Sequence, residues 1–289
     1  MFSRRGTEAR RVSPGSGGRA RRVFTTISAA AVGVIVAGSV SAPANASSTN
    51  NLCEFGVFIA VRGTGAPAGS SLAHSNRVWL SGGQGPQVAD LKGRLAGATT
   101  DPMPFYFESL NYPAAKGTGL IASVAAGRNT LVMELNWLSN QCGSILPAVV
   151  LAGHSQGAMV ITQALSAFVD GSPNLTSKAK TMIRAVALFG DPNYSNTDPF
   201  NAPGSPSVQP LLHRVAGTST ELAAYKYMGW PQASKAKGWV YKIREYCLAG
   251  DLFCQSGTSP RAESIHNSYA PSKTGQAQLW IDYMLSSSQ

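Results

Sequence analysis

The sequence is poor in acidic residues, histidine and cysteine: 14 Asp and Glu, four His and four Cys stand among 289 residues. The scarcities exclude several functions. Cys53, Cys142, Cys247 and Cys254 have the wrong spacings for a zinc site, and no histidine pair accompanies them. Beyond the N-terminal segment, Lys and Arg form no clustered stripe of the kind a nucleic-acid binder carries. After the first 46 residues no run is long and apolar enough to span a membrane. No internal repeat is present.

What the N-terminus does contain is diagnostic. Arg4, Arg5, Arg10, Arg11, Arg19, Arg21 and Arg22 give a basic region, VFTTISAAAVGVIVAGSVSA is uncharged and apolar, and Ala44-Asn45-Ala46 is a small-x-small cleavage signature. The pattern predicts a secretory signal peptide over residues 1–46, with an uncleaved membrane anchor as the alternative. Residues 1–22 hold seven Arg and one Glu, so of the formal charge of +10 only +4 remains for the rest. A mildly basic, secreted, extracellular monomer is expected, weakly attracted to anionic cell-envelope surfaces and binding no nucleic acid.

Residues 47–289 suffice for one α/β domain with a full core. In an oxidising compartment the four cysteines argue for two disulfides, and three pairings are formally possible. The close spacing of Cys247 and Cys254 suits a local clip, which leaves Cys53 with Cys142.

From residue 55 the pattern alternates between strand and helix. FGVFIAV, PFYFESLNY, AVVLAG, RAVALFG and WVYKIREY read as strands, with helices over GPQVADLKGRLAGA, SVAAGRNTLVMELNWLSNQ, AMVITQALSAFV and GQAQLWIDYML. This predicts a three-layer α/β/α sandwich around a mostly parallel five-stranded sheet, with function at the carboxyl ends of its strands. A long irregular insertion is expected at about 193–238; its Leu222, Tyr225, Tyr227, Met228 and Trp230 suit either core packing or an acyl-binding wall.

Between two apolar runs stands Gly153-His154-Ser155-Gln156-Gly157. A lone GxSxG is weak evidence, but a β-branched strand before it and a helix after it are what a nucleophile elbow requires. Ser155 is the expected nucleophile, with an ordinary turn serine as the alternative. Its general base should follow the last strand. His266 does so, whereas His213 lies in the irregular insertion; His74 and His154 read as ordinary polar surface histidines. The supporting carboxylate is expected at Asp251, enclosed by Cys247 and Cys254, rather than at Asp191 in the turn-like GDPN. Oxyanion donors are expected at Gln156, after the nucleophile, and at Thr64 in RGTG, which otherwise reads as a turn residue.

Together CEFGVFIAVRGTG, LNYPAA, GHSQGA, FGDP, CLAGDLFC and the histidine after that loop resemble the cutinase family of secreted serine esterases, in its actinobacterial cutinase-like branch. The resemblance covers about residues 52–284. It implies an α/β hydrolase with Ser155, Asp251 and His266 as triad and Gln156 and Thr64 as oxyanion hole. It also implies Cys53–Cys142 and Cys247–Cys254 disulfides, and neither a metal nor an organic cofactor. The substrates it implies are cutin-like polyesters, short to medium acyl esters, triacylglycerols and phospholipids; related enzymes deacetylate xylan. His154 departs from the tyrosine common at that position, and the stretch between FGDP and Cys247 is longer than in small fungal cutinases. A catalytically silent envelope-binding protein on the same scaffold is the alternative of a different class.

Overall fold

The structure is a computed structural model that describes residues 50–74, 77–97, 105–166, 173–208, 210–227 and 241–286. The expected signal peptide, Met228 and Trp230 lie outside the described residues. A short helix α1 (Asn50–Glu54) leads into β1 (Gly56–Val61), then β2 (Ser70–His74), β3 (Arg77–Ser81), α2 (Pro86–Gly97) and β4 (Phe105–Ser109). A 3-10 turn at Gly117–Gly119 opens α3 (Leu120–Gln141), followed by β5 (Val149–His154), α4 (Gln156–Leu165), α5 (Ser177–Met182) and β6 (Ile183–Phe189). The chain closes with α6 (Thr218–Ala223), β7 (Ile243–Tyr246), α7 (Ala262–His266) and α8 (Ser272–Ser286).

The strands form one seven-stranded sheet in the order β2-β3-β4-β1-β5-β6-β7. The five expected strands are its parallel portion, β4-β1-β5-β6-β7. The count of five is corrected by β2 and β3, an antiparallel pair that extends the sheet at its β4 edge. SSLAH and RVWLS are short, and of their ten residues only Val78 and Trp79 are β-branched or aromatic, so sheet pairing, not local propensity, makes them strands.

Parallel strands covered on both faces must be apolar throughout, and GVFIAV and VVLAGH are buried at every position. Because side chains alternate, each strand feeds two cores. Val57, Ile59, Val61, Val149 and Leu151 pack with α3 and α4 residues such as Leu131, Leu135 and Val160. Phe58, Ala60, Val150 and Ala152 pack on the other face with Leu91 of α2 and Trp280 and Ile281 of α8. Removing one such side chain, as in Leu151→Ala, costs about 2–5 kcal/mol in comparable cores.

Connections leave β1 toward β4 on one side and reach β5 on the other, which makes the β1/β5 boundary the switch point where α/β sheets open a crevice. Strand ends coincide there: Val61 pairs with Gly153, His154 with Phe189, and Phe189 with Tyr246. The loops after β1, β5, β6 and β7 therefore leave from one edge.

Both disulfides form as expected, Cys53–Cys142 tying α1 to the end of α3 and Cys247–Cys254 closing the loop after β7. Of the insertion, Leu222 and Tyr225 are buried in the core beneath α4, and Tyr227 packs against the opposite face. They are core residues; the acyl-wall reading does not hold for them.

Candidate active site

Ser155 sits between the end of β5 and the start of α4 with φ 54° and ψ −122°, a strained conformation for a residue with a side chain. Its N–H donates to the Phe189 carbonyl at 2.9 Å, which anchors the turn to the end of β6. The glycines two residues either side are sterically obligatory. A Cβ at Gly157 would stand 2.1 Å from the Val61 carbonyl oxygen, and one at Gly153 would stand 2.6 Å from the Gly157 main chain. The sequence signal GxSxG thus records how closely β1 and α4 crowd the elbow.

His266 ends α7, buried, with Nδ1 at 2.9 Å from Oδ2 of Asp251. Asp251 is completely buried and receives four hydrogen bonds. Its Oδ1 accepts from the N–H groups of Phe253 (2.7 Å) and Cys254 (2.9 Å), and its Oδ2 accepts from His266 and, at 2.7 Å, from the Tyr269 hydroxyl. Burial alone would raise this carboxyl; the bonds to His266, Tyr269 and Cys254 outweigh it and hold the pKa below the ordinary value. With Nδ1 donating to Asp251, Nε2 of a neutral His266 is the basic ring nitrogen, and it has no hydrogen-bond partner among the described residues. No Ser155–His266 hydrogen bond is formed, a looseness common where substrate completes the geometry. Gly190 of FGDP lies against the ring: a Cβ there would meet His266 Cε1 at 2.9 Å.

The loop after β1 forms the opposite wall. Arg62 is buried and clamps it, donating to the carbonyls of Ala66 (2.9 Å), Leu110 (3.1 Å) and Tyr112, while the Tyr112 hydroxyl donates to the Arg62 carbonyl. Gln156, also buried, donates through Nε2 to the Ala115 carbonyl at 2.7 Å and to Thr64 Oγ1 at 3.4 Å, and accepts from Ser123 at 3.0 Å. Thr64 is thereby held beside the elbow, exposed to the cleft.

Ser155, His266, His154 and Thr64 line a cleft of about 580 Å³. Its wall also includes the polar Gln87, Lys116, Glu263 and Asn267, and among large apolar residues Leu120 and Phe253. No described residue of the insertion lines it.

The competing candidates lie elsewhere. Asp191 is buried in an ion cluster in which Arg214 also meets Asp198 and Glu245. His213 borders a separate hollow with Tyr194 and Arg214. Tyr269, Arg62 and Ser123 were not marked in the sequence, although Tyr269 follows His266 by three residues and Arg62 opens RGTG. His154, read above as an ordinary polar histidine, is instead buried beside the site. Among the described residues no cluster of His, Cys, Asp and Glu could hold a metal ion.

A parallel sheet with a strained serine at the switch point, sharing a cleft with a histidine bonded to a buried aspartate, is the arrangement of the α/β hydrolases. Within that class the chain belongs to the cutinase family, whose model matches residues 85–285. The chain is 30% identical over 193 residues to an acetylxylan esterase of Hypocrea jecorina, covering 62% of this chain and 56% of that protein. It is 26% identical over 185 residues to cutinase 11 of Verticillium dahliae, covering 60% of this chain and 55% of the relative. The chain thus spans little more than half the length of these curated relatives. The catalytic core domain of acetyl xylan esterase from Trichoderma reesei superposes with a TM-score of 0.57 at 25% identity, covering 80% of this chain and 99% of that one.

Proposed function

We propose that the chain is a secreted carboxylic ester hydrolase that works through Ser155, His266 and Asp251. The observation that carries this is the bonding of His266: Nδ1 is taken by Asp251, and Nε2 has no hydrogen-bond partner among the described residues, on a ring lining the same cleft as Ser155. His266 Nε2 accepts the Ser155 proton as Oγ attacks the ester carbonyl, and returns it to the departing alcohol. Water then repeats the cycle on the acyl-enzyme. Asp251 keeps the tautomer and stabilises the imidazolium. The oxyanion is received by the N–H of Gln156 and by Thr64. Because Thr64 Oγ1 accepts from Gln156, its own hydroxyl hydrogen is free to donate.

The signal peptide at 1–46, followed by a hydrolase domain over 47–289, supports release from the cell, as do two disulfides. For substrate, the polar Lys116, Glu263 and Asn267 in the cleft wall favour a short to medium acyl group on a hydrophilic alcohol over a long-chain lipid. Relatives named acetylxylan esterases support the same choice.

The test is initial hydrolysis rate on p-nitrophenyl esters from acetyl to palmitoyl, with tributyrin, a polyester film and acetylated xylan alongside, for wild type and Ser155→Ala. A short-chain optimum that Ser155→Ala lowers by roughly a hundred-thousandfold or more is expected. Turnover that survives Ser155→Ala would remove this site from consideration.

A further inference from the structure

The edge of the sheet opposite the cleft holds a second concavity, of about 360 Å³, at the start of β6 and just before β7. Lys180 of α5, Arg184 of β6, Lys226 of the Lys226–Tyr241 bridge and the adjacent Lys242 all line it, with Glu221 as the one acid among the described lining residues. None of the four cations makes an ion pair among the described residues. Lys180 and Lys226 are exposed, whereas Arg184 and Lys242 are half-buried.

The frame of this pocket is built from fixed bonds. The Tyr225 hydroxyl donates to the Leu165 carbonyl at 3.2 Å, the Lys242 N–H to the Tyr225 carbonyl at 2.8 Å, and the Val186 N–H to the Lys242 carbonyl at 2.7 Å. Nζ of Lys242 lies 4.9 Å from the centre of the Tyr227 ring, whose hydroxyl donates to the Arg184 carbonyl at 3.1 Å. The backbones of Arg184, on β6, and of Lys242, immediately before β7, are therefore fixed at the pocket.

Like charges held together and partly desolvated raise the energy of the empty site. Burial, and then the nearness of Arg184, pushes the Lys242 ammonium down to about 8. A bound anion offsets the repulsion and supplies the ion-pair partner that the half-buried ammonium lacks among the described residues. One carboxylate satisfies only two or so donors, whereas a guanidinium fork and three ammonium groups around one concavity suit a compact anion with several oxygens.

We infer that the pocket formed by Lys180, Arg184, Lys226 and Lys242 binds a phosphate group, at a site remote from the ester-cleaving cleft. The phosphate can be free or carried on a lipid headgroup; the chemistry of recognition is the same. The inference does not depend on the proposed hydrolase chemistry.

The experiment follows thermal unfolding of the secreted protein while sodium phosphate replaces sodium chloride at constant ionic strength. A saturable rise in Tm of about 3 °C is expected in phosphate. It should be absent from Arg184→Gln/Lys242→Gln, and also from Lys180→Gln/Lys226→Gln, whose exposed positions leave the fold intact. Hydrolysis of a p-nitrophenyl ester should stay within about twofold of wild type in both variants, since neither touches the cleft. A parallel arm sediments the protein with vesicles of phosphatidylglycerol or of phosphatidylcholine alone. Binding to the former, displaced by inorganic phosphate and lost in the variants, assigns the pocket to a lipid headgroup; a phosphate effect with no vesicle binding assigns it to a soluble phosphate. Equal Tm in phosphate and chloride, or a phosphate effect that persists in both variants, overturns the inference.

Discussion

His154 Nε2 lies 2.8 Å from the main-chain oxygen of His266, and the two rings stand 4.7 Å apart. A ring nitrogen facing a carbonyl must donate, so Nε2 carries the hydrogen. Burial, and then the nearness of His266, pushes the His154 pKa down to about 4, so at neutral pH the ring is uncharged. The bond ties the elbow bearing Ser155 to the end of α7 bearing His266. His154→Phe fills the space and breaks the tie; kcat should fall about tenfold with KM nearly unchanged, in the range of supporting hydrogen bonds around a site. His154→Gln keeps an N–H donor and should recover most of the loss. Equal losses in both variants that track Tm would reduce His154 to packing.

Tyr269 secures the carboxylate to which His266 is bonded. Its hydroxyl donates to Asp251 and accepts from the Leu248 N–H at 3.1 Å. Tyr269→Phe leaves that N–H without its acceptor and takes one donor from the carboxylate, at a cost of about 1–3 kcal/mol. The folded pKa of Asp251 lies below its ordinary 3.8, so its contribution to stability is present above that pH and lost as pH falls through the folded value. The gap in unfolding free energy between wild type and Tyr269→Phe should therefore narrow from pH ~7 to pH ~3. Urea titrations at both values measure it, and a constant gap would mean Asp251 is unaffected.

These two contacts mark the limit of what the sequence reveals. The strands β1, β5 and β6 are legible because both faces are buried and the runs are continuously apolar. GHSQG and the Cys247–Cys254 loop are legible because local sterics and covalency dictate their residue types. His154 is not, because its partner is a backbone carbonyl 112 residues away, which leaves no trace in residue identity. The β2–β3 hairpin escapes for a related reason: its pairing to the β4 edge is tertiary. In the insertion, Leu222 and Tyr225 favour the core from sequence without excluding the cleft, since apolar character alone does not say which surface will cover them.

The cluster around Arg214 predicts a second pH dependence of opposite sign. Glu245, Asp191 and Asp198 are buried around one guanidinium. Burial, opposed by Arg214 but reinforced by the other two carboxylates, pushes Glu245 up to about 8. A folded pKa above the unfolded 4.5 gives stability that is full below 4.5 and lost as pH rises through about 8. Tm should thus decline between pH ~5.5 and ~8.5. Glu245→Gln, which cannot titrate, should flatten that slope; an unchanged slope would assign the decline to other groups.

The two disulfides should separate stability from activity. Cys53–Cys142 closes a loop of 89 residues, and the chain-entropy estimate for such a loop is about 4–5 kcal/mol, against about 2–3 kcal/mol for the seven-residue Cys247–Cys254 loop. Only the short loop holds the Asp251 carboxylate, through the Phe253 and Cys254 N–H groups. Cys53→Ser/Cys142→Ser should therefore lower Tm more, yet keep kcat near wild type at a temperature where it remains folded. Cys247→Ser/Cys254→Ser should lower Tm less while cutting kcat at least about tenfold, because a displaced Asp251 no longer fixes the His266 tautomer. Tm and kcat on one short-chain ester, measured for both pairs, decide the matter. If kcat falls only in step with the folded fraction in both, the short disulfide has no part in positioning Asp251.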